Sequence, residues 1–329
     1  MTLPFLSHLS PALRNRLRFL LAGNLILLAF IYAHTLSNEK ASFLDELSRF
    51  GPNVAPLILA ALGLTGIVYT GAIDLSVGAI IVVAGTVFGI LYEYEFAPAV
   101  CFAACYATAL CLSMWNACLI RWLKIPAIIV TLAGLTFYRG LALALANVSL
   151  EKFSGQISIQ GDAYHRPGNE WAGSILLFAI VIAIVWESFG KTPRLWLAHG
   201  SSQAACRLQG LDPARLLTGA FFVSGLFLGL AALTETTRGL TIEPNRLARG
   251  FELQVVAAVV MGGTNIFGGE GSYLGTILGG AFLYLVGQAM LYAGLSEYSR
   301  HAVHGALIIG VIGFDCLMHR KAKLLEELR

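Results

Sequence analysis

The polar residues best placed to do chemistry sit in two breaks between apolar runs. The first is Gly71-Ala72-Ile73-Asp74-Leu75-Ser76-Val77-Gly78. An acid between two apolar segments is costly unless it faces water or protein. The flanking glycines permit a non-helical turn, and Asp74 or Ser76 is placed to cap the next helix. A simple capped turn and a functional role both fit. The second break, Gly262-Gly263-Thr264-Asn265-Ile266-Phe267-Gly268-Gly269-Glu270-Gly271-Ser272, is too glycine-rich to hold a helix in water. In a membrane such breaks survive where they are buried in protein or line a watery cavity. One break in each half of a chain is the pattern of transporters with related halves, although no sequence repeat is visible here.

Other reactive-looking groups lead elsewhere. Gly190-Lys191-Thr192 resembles the end of a phosphate-binding loop, but that loop needs a glycine five residues before Gly190, where Val185 stands. Any ATP hydrolysis would therefore have to come from another subunit. His301 and His304 share a helix face with no third metal ligand nearby in sequence. Arg139 lies within an apolar run, near enough to its end to snorkel to the outer surface. No nucleophile–base set, metal-protease motif or paired carboxylates stand out, so the chain is not read as an enzyme.

The elements that carry these residues follow from composition. Of 329 residues, 57% are hydrophobic and 12% charged, about half the ~25% charge of a soluble protein. A soluble globule and a disordered chain are both excluded. Net charge is only +3, which gives no reason to expect nucleic acid. Cys101, Cys105, Cys111 and Cys118 fall in one apolar run and read as small hydrophobes. The chain is expected to be all-α: a polytopic membrane bundle of about ten helices, within a range of about eight to eleven. The spans fall near 19–36, 53–73, 75–92, 97–120, 125–146, 171–189, 216–234, 252–267, 272–293 and 302–318. Those at 75–92 and 252–267 are short or broken by glycine.

With both termini in the cytoplasm, thirteen of the 22 Lys and Arg residues lie inside, eight lie outside, and Arg139 is in a span. The positive-inside rule favours that orientation. It gives a cytoplasmic segment 1–18, a transmembrane domain 19–318 and a cytoplasmic tail 319–329. The longest loops, near 147–170 and 190–215, leave no room for a catalytic domain. In the inner loop 190–215, Ala204, Ala205, Leu208 and Leu211 recur at helical spacing. A short amphipathic helix there would either lie on the lipid surface or dock a cytoplasmic partner. Glycine pairs 85/89, 225/229 and 275/279 permit close helix approach.

Four ordered stretches resemble one family. Gly71–Gly78 is similar to G-x-I-D-L-S-V-G. Residues 124–134 with Arg139-Gly140 are similar to P-x-[FI]-I-V-T-L-G…R-G. Gly200–Leu211 resembles G-x-N-x-x-A-A-x-R-x-x-G-I. The run from Gly250 to Thr276 resembles G-x-E-L-x-x-I-A-A-V-V-L-G-G-T-x-x-x-G-G-x-G-x-x-x-G-T. The family is the inner-membrane permease subunits of bacterial monosaccharide ABC importers, the ribose/xylose/arabinose/rhamnose group, akin to branched-chain amino acid permeases. The similarity runs from about residue 54 to 318. Ser202 stands where the family has Asn, and Gln254 where an acid is common; loop 147–170 has no clear counterpart.

The resemblance implies a permease subunit in the bacterial inner membrane. It would form the path for a monosaccharide with a second permease subunit, identical or paralogous. A periplasmic sugar-binding protein would deliver the sugar, and a cytoplasmic ABC ATPase would hold the ATP and Mg, with no cofactor in this chain. It makes the segment holding Ser202, Gln203, Ala204, Ala205, Arg207 and Gly210 the coupling helix. Gly71, Asp74, Ser76, Gly78, Gly262, Gly263, Gly268, Gly269 and Gly271 become structural or gating positions. Asn116, Thr131, Gln254, Thr264 and Asn265, each polar within an apolar run, are path candidates, with helix–helix hydrogen bonding as the plainer reading of each. A furanosyl autoinducer, a nucleoside or a branched-chain amino acid remain alternative cargoes. A self-sufficient secondary transporter is the rival class, which would want acids or histidines deep in its spans.

Overall fold

The computed structural model describes residues 10–36, 43–150 and 155–295, with scattered positions from there to 313. Seven of the described helices are long and apolar enough to cross a bilayer. They are α1 (Pro11–Leu36), α2 (Phe43–Tyr69), α4 (Pro98–Leu123), α5 (Ala127–Ser149), α7 (Ala172–Phe189), α10 (Pro213–Arg238) and α12 (Tyr273–Tyr292). Two apolar helices are shorter, α3 (Val77–Glu93) and α11 (Phe251–Met261). With inner meaning the side to which the basic residues assign the cytoplasm, α6 (Asp162–His165) and the two-residue strands β1 (Ile157–Ser158) and β2 (Thr241–Ile242) fall on the outer side. On the inner side lie α8 (Lys191–Ser201) and α9 (Gln203–Leu208).

The all-α membrane bundle is what the composition demands, and nine of the ten expected spans have a helix. The tenth, 302–318, is described at seven scattered positions, all of them helical, while the tail 319–329 and residues 1–9 lie outside the described residues. Helix ends differ from the hydropathy reading for local reasons. The first helix begins at Pro11, eight residues before the apolar run, and α2 begins at Phe43 and carries Pro52 and Pro56 within it. Prolines at the first helical position start α4 and α10. Lys124 in the left-handed region, followed by Pro126, ends α4. Helix α11 stops at Met261, short of the expected 267, because Gly263 turns at a φ of 91°.

The bundle is built around α2. In its apolar window 83% of residues are buried, against 22% for α1, α4 and α7, which therefore face lipid or partners. Helix α10 fits between α2 and α4. Gly225 and Gly229 on α10 abut Leu110, Ser113 and Tyr106 of α4, and Gly275 and Gly279 on α12 bring its backbone onto Gly262 and Ala258 of α11. These glycine pairs allow the close crossings their spacing suggested.

Candidate functional site

The two sequence breaks are the ends of short helices. After Tyr69 the chain turns at Gly71 (φ 79°) and stays non-helical to Ser76, so α3 starts late. On the outer side, residues 239–250 descend along α3. Gly89 meets Ile157 and Ile242, Gly85 meets Leu247, and Gly78 meets Ala248 and Glu252. From Gly89 to Gly78 is about 16 Å of helix. Helix α11 thus begins well inside the body, its first turn against the first turn of α3. The strand pair β1–β2, with Ile157 opposite Ile242, ties the unaligned outer loop to this descending segment. His165 Nδ1 lies 3.1 Å from the Thr237 carbonyl and reinforces the tie.

Asp74 is fully buried beside α3. Its Oδ1 accepts from the Ser76 N–H (2.8 Å) and the Ser76 hydroxyl (2.6 Å). Neither side chain caps α3. Ser76 Oγ in turn accepts from Asn116 Nδ2 (2.8 Å), and Asn116 Oδ1 accepts from the Tyr138 hydroxyl (2.6 Å). The relay Tyr138–Asn116–Ser76–Asp74 runs donor to acceptor in one direction, the arrangement in which each bond strengthens the next. Thr131 Oγ1 donates to the Ile73 carbonyl at 3.2 Å. Helices α4 and α5 thereby hold the first break in place.

An outer cavity of about 360 Å³ opens between α2, the end of α10, the descending segment, α11 and α12. Asn53, Gln254 and Gln288 line it with Glu235, Arg238, Arg246 and Arg249. Arg238 pairs with Glu235 (3.1 Å) and Arg246 with Glu243 (3.6 Å). A cavity of this size suits a monosaccharide-sized solute. Of the five path candidates only Gln254 borders it. Asn116 and Thr131 are occupied as described. Thr264 is packed against Gly271, and Asn265 Oδ1 accepts from Phe267 N within its own turn (3.0 Å). A polar residue in an apolar run reports a need for a partner; Asn116, Thr131 and Asn265 find one within the chain, whereas the buried Thr264 hydroxyl has none among the described residues. Arg139 does not snorkel: Nη2 donates to the Ala248 carbonyl (2.9 Å) and reaches Glu252 (3.4 Å), fixing α5 to the start of α11.

On the inner side three backbones meet without side chains between them. Gly268 abuts Gly71 and Gly200, Gly200 abuts the Tyr69 carbonyl, and Gly269 abuts Ser201. Gly269 N donates to that Tyr69 carbonyl at 3.2 Å. Gly262, Gly263 and Gly271 shape the same turn, Gly271 lying against the Tyr69 ring. Helix α8 is sunk into this junction through Trp196 and His199, both buried. Helix α9 is not. Ser202 Oγ caps it by accepting from Ala205 N (3.2 Å), and only Cys206 is buried. Gln203, Ala204, Ala205 and Arg207 are exposed, and Leu208 is 90% exposed. The expected amphipathic helix therefore turns its apolar face outward and does not lay it on the rest of the chain. Gly210 ends it with a φ of 77°.

Residues 52–312 match the family described as branched-chain amino acid transport system / permease component. The chain belongs to that family. Among its relatives is an autoinducer 2 import system permease protein LsrC of Photorhabdus laumondii, 29% identical over 79% of this chain and 78% of the relative. The LsrC protein of Escherichia coli O157:H7 is 26% identical over 88% and 84% respectively, and that of Yersinia pestis strain Pestoides F 28% over 79% and 74%. The protein is thus a permease subunit of an ABC-type importer, multi-pass in the bacterial inner membrane, and a transport subunit rather than an enzyme. The four motif stretches, from Gly71 to Thr276, all fall within the matched region.

Proposed function

We propose that this permease conducts a monosaccharide-sized polyol from a periplasmic binding protein to the cytoplasm, driven by a separate ABC ATPase that docks on α9. The observation that carries this reading is the contrast between α8, sunk into the junction of both breaks, and α9, capped but exposed on almost every side chain. A short rigid helix between two spans can move both as a unit. Ser202, Gln203, Ala204, Ala205, Arg207 and Gly210 form the docking segment in this reading. ATP and Mg bind the ATPase, and a second permease subunit, identical or paralogous, completes the path. Gln254 and the outer cavity form its entrance. Gly71, Gly78, Gly262, Gly263, Gly268, Gly269 and Gly271 let the breaks pack and move, with Asp74 and Ser76 bracing the first.

A second cargo, autoinducer 2, is favoured by the LsrC relatives, which are autoinducer 2 import system permeases. Calorimetry of the cognate binding protein against D-ribose, D-xylose, L-rhamnose and autoinducer 2 separates the two. The test of docking is Ala205→Arg on the exposed face of α9. It is expected to abolish stimulation of the ATPase by loaded binding protein while the subunit still inserts and folds. Unchanged stimulation would overturn the assignment.

A further inference from the structure

Glu187 and Tyr69 stand outside every motif considered so far, yet they join the inner loop to both breaks. Glu187 lies in the last turn of α7, which continues through Gly190 directly into α8. Its Oε1 accepts from the Tyr69 hydroxyl at 2.6 Å and from Tyr273 N at 3.0 Å. Tyr69 is the last residue of α2, immediately before the first break, and Tyr273 is the first of α12, immediately after the second. One carboxylate oxygen therefore touches the entry to one break and the exit from the other. That oxygen also satisfies one of the backbone N–H groups left free at the start of α12.

Tyr69 carries a second link, since its carbonyl accepts from Gly269 N inside the second break. Around the pair the fit is rigid. Trp196 of α8 lies in a notch on α2, where a Cβ at Gly66 would come within 2.8 Å of its ring. Trp186 packs edge-on to Trp196 at 5.2 Å, and Tyr69 edge-on to Tyr273 at 5.5 Å. Close-packed aromatic groups pass on displacement because they cannot be compressed. The Tyr273 hydroxyl is buried with no hydrogen-bond partner among the described residues.

We infer that the Glu187–Tyr69 pair is the joint through which movement of α8 and α9 reaches both breaks at once. Both residues are positioning residues and touch no cargo. This rests on the reading of α9 as the ATPase docking helix. Displacement of α8 shifts Glu187 and Trp196 together. Glu187 then pulls Tyr69 and the start of α12, and Tyr69 carries the first break by the chain and the second by Gly269.

The test uses the importer purified with its own ATPase subunits, with MgATP and vanadate as the probe and amide hydrogen exchange as the readout. In the natural protein, nucleotide is expected to change exchange in α9 and in both segments 70–76 and 262–272. Tyr69→Phe keeps the ring and removes the hydroxyl. The nucleotide-dependent change should persist in α9 and fall at least threefold in the two breaks. A merely structural role would loosen the breaks equally with and without nucleotide. Glu187→Gln retains an acceptor oxygen and should keep the response at the breaks, whereas Glu187→Ala should lose it. These two variants decide the matter if Tyr69→Phe fails to assemble. A full response at the breaks in Tyr69→Phe or Glu187→Ala, or a Gln variant that behaves as the Ala variant does, overturns the joint. A natural protein whose α9 ignores nucleotide overturns the docking reading instead.

Discussion

Asn116 shows how completely a single side chain can be used. Its amide donates to Ser76 and accepts from Tyr138, with no exposed surface. Removing it leaves the buried Tyr138 hydroxyl without an acceptor, at about 1–3 kcal/mol, and takes one bond from Ser76, whose hydroxyl still donates to Asp74. Asn116→Ala is expected to destabilise the protein by about 2–4 kcal/mol, read as a lowered melting temperature in detergent. Tyr138→Phe removes only one bond and should cost about half as much. From sequence, Asn116 had the same appearance as Gln254, a polar residue in an apolar run. What separates them is whether a neighbouring helix brings a complementary group, and that depends on packing. Glu187 was missed for a related reason. An acid near the end of an apolar run looks like an ordinary boundary residue, and its partners Tyr69 and Tyr273 are distant in sequence.

At the scale of elements, glycine decides which helices can touch. A Cβ at Gly275 would collide with the Gly262 carbonyl of α11, a backbone group that cannot step aside. Gly275→Ala should therefore cost about 1–3 kcal/mol or more. Gly140 in α5 has nothing within 4 Å of the corresponding position. Gly140→Ala should be neutral or stabilising by up to about 1 kcal/mol in the isolated subunit. Thermal unfolding of the two variants side by side checks both.

Helix α8 carries a pH response of its own. Burial, with Arg207 adding to it, lowers the His199 imidazole below its ordinary value of 6.5. The folded state thus resists taking a proton that the released side chain accepts. Docking of α8 is expected to be strongest above about pH 6.5 and to weaken as pH falls below it. Amide exchange of α8 at pH 7.5 and 5.5, corrected for intrinsic rates, measures this, and His199→Gln should flatten the difference. The helices themselves were legible from hydropathy because their length is set by the bilayer. Their ends were not, since α11 stops at a left-handed glycine and α1 begins before its apolar run does.

Across the whole molecule, the charge at the outer mouth is the least expected property. A sugar path read from sequence calls for hydroxyl and amide partners, whereas Arg238, Arg246 and Arg249 border the cavity against Glu235. These residues lie in or beside the outer loop at 235–251, whose basic character was visible in the sequence. That the loop descends beside α3 was not, because β1 and β2 are two residues each and pair across more than eighty positions of chain. Arg249 makes no ion pair among the described residues. Arg249→Glu is expected to slow uptake by the assembled importer about tenfold at low ionic strength, and less as salt is raised. Uptake into proteoliposomes supplied with loaded binding protein checks it.

The late start of α11 has an electrical consequence. Its 11 residues span about 16 Å, roughly half the ~30 Å hydrocarbon thickness. The outer cavity is lined as far as Ala257, midway along that helix, and water filling it would carry the outside potential to that depth. The resting voltage of the cell must then drop across a thin septum between the mouth and the glycine turn, and its gradient there is steeper than in the surrounding lipid. A solute bearing charge would experience nearly all of that voltage within a single short step.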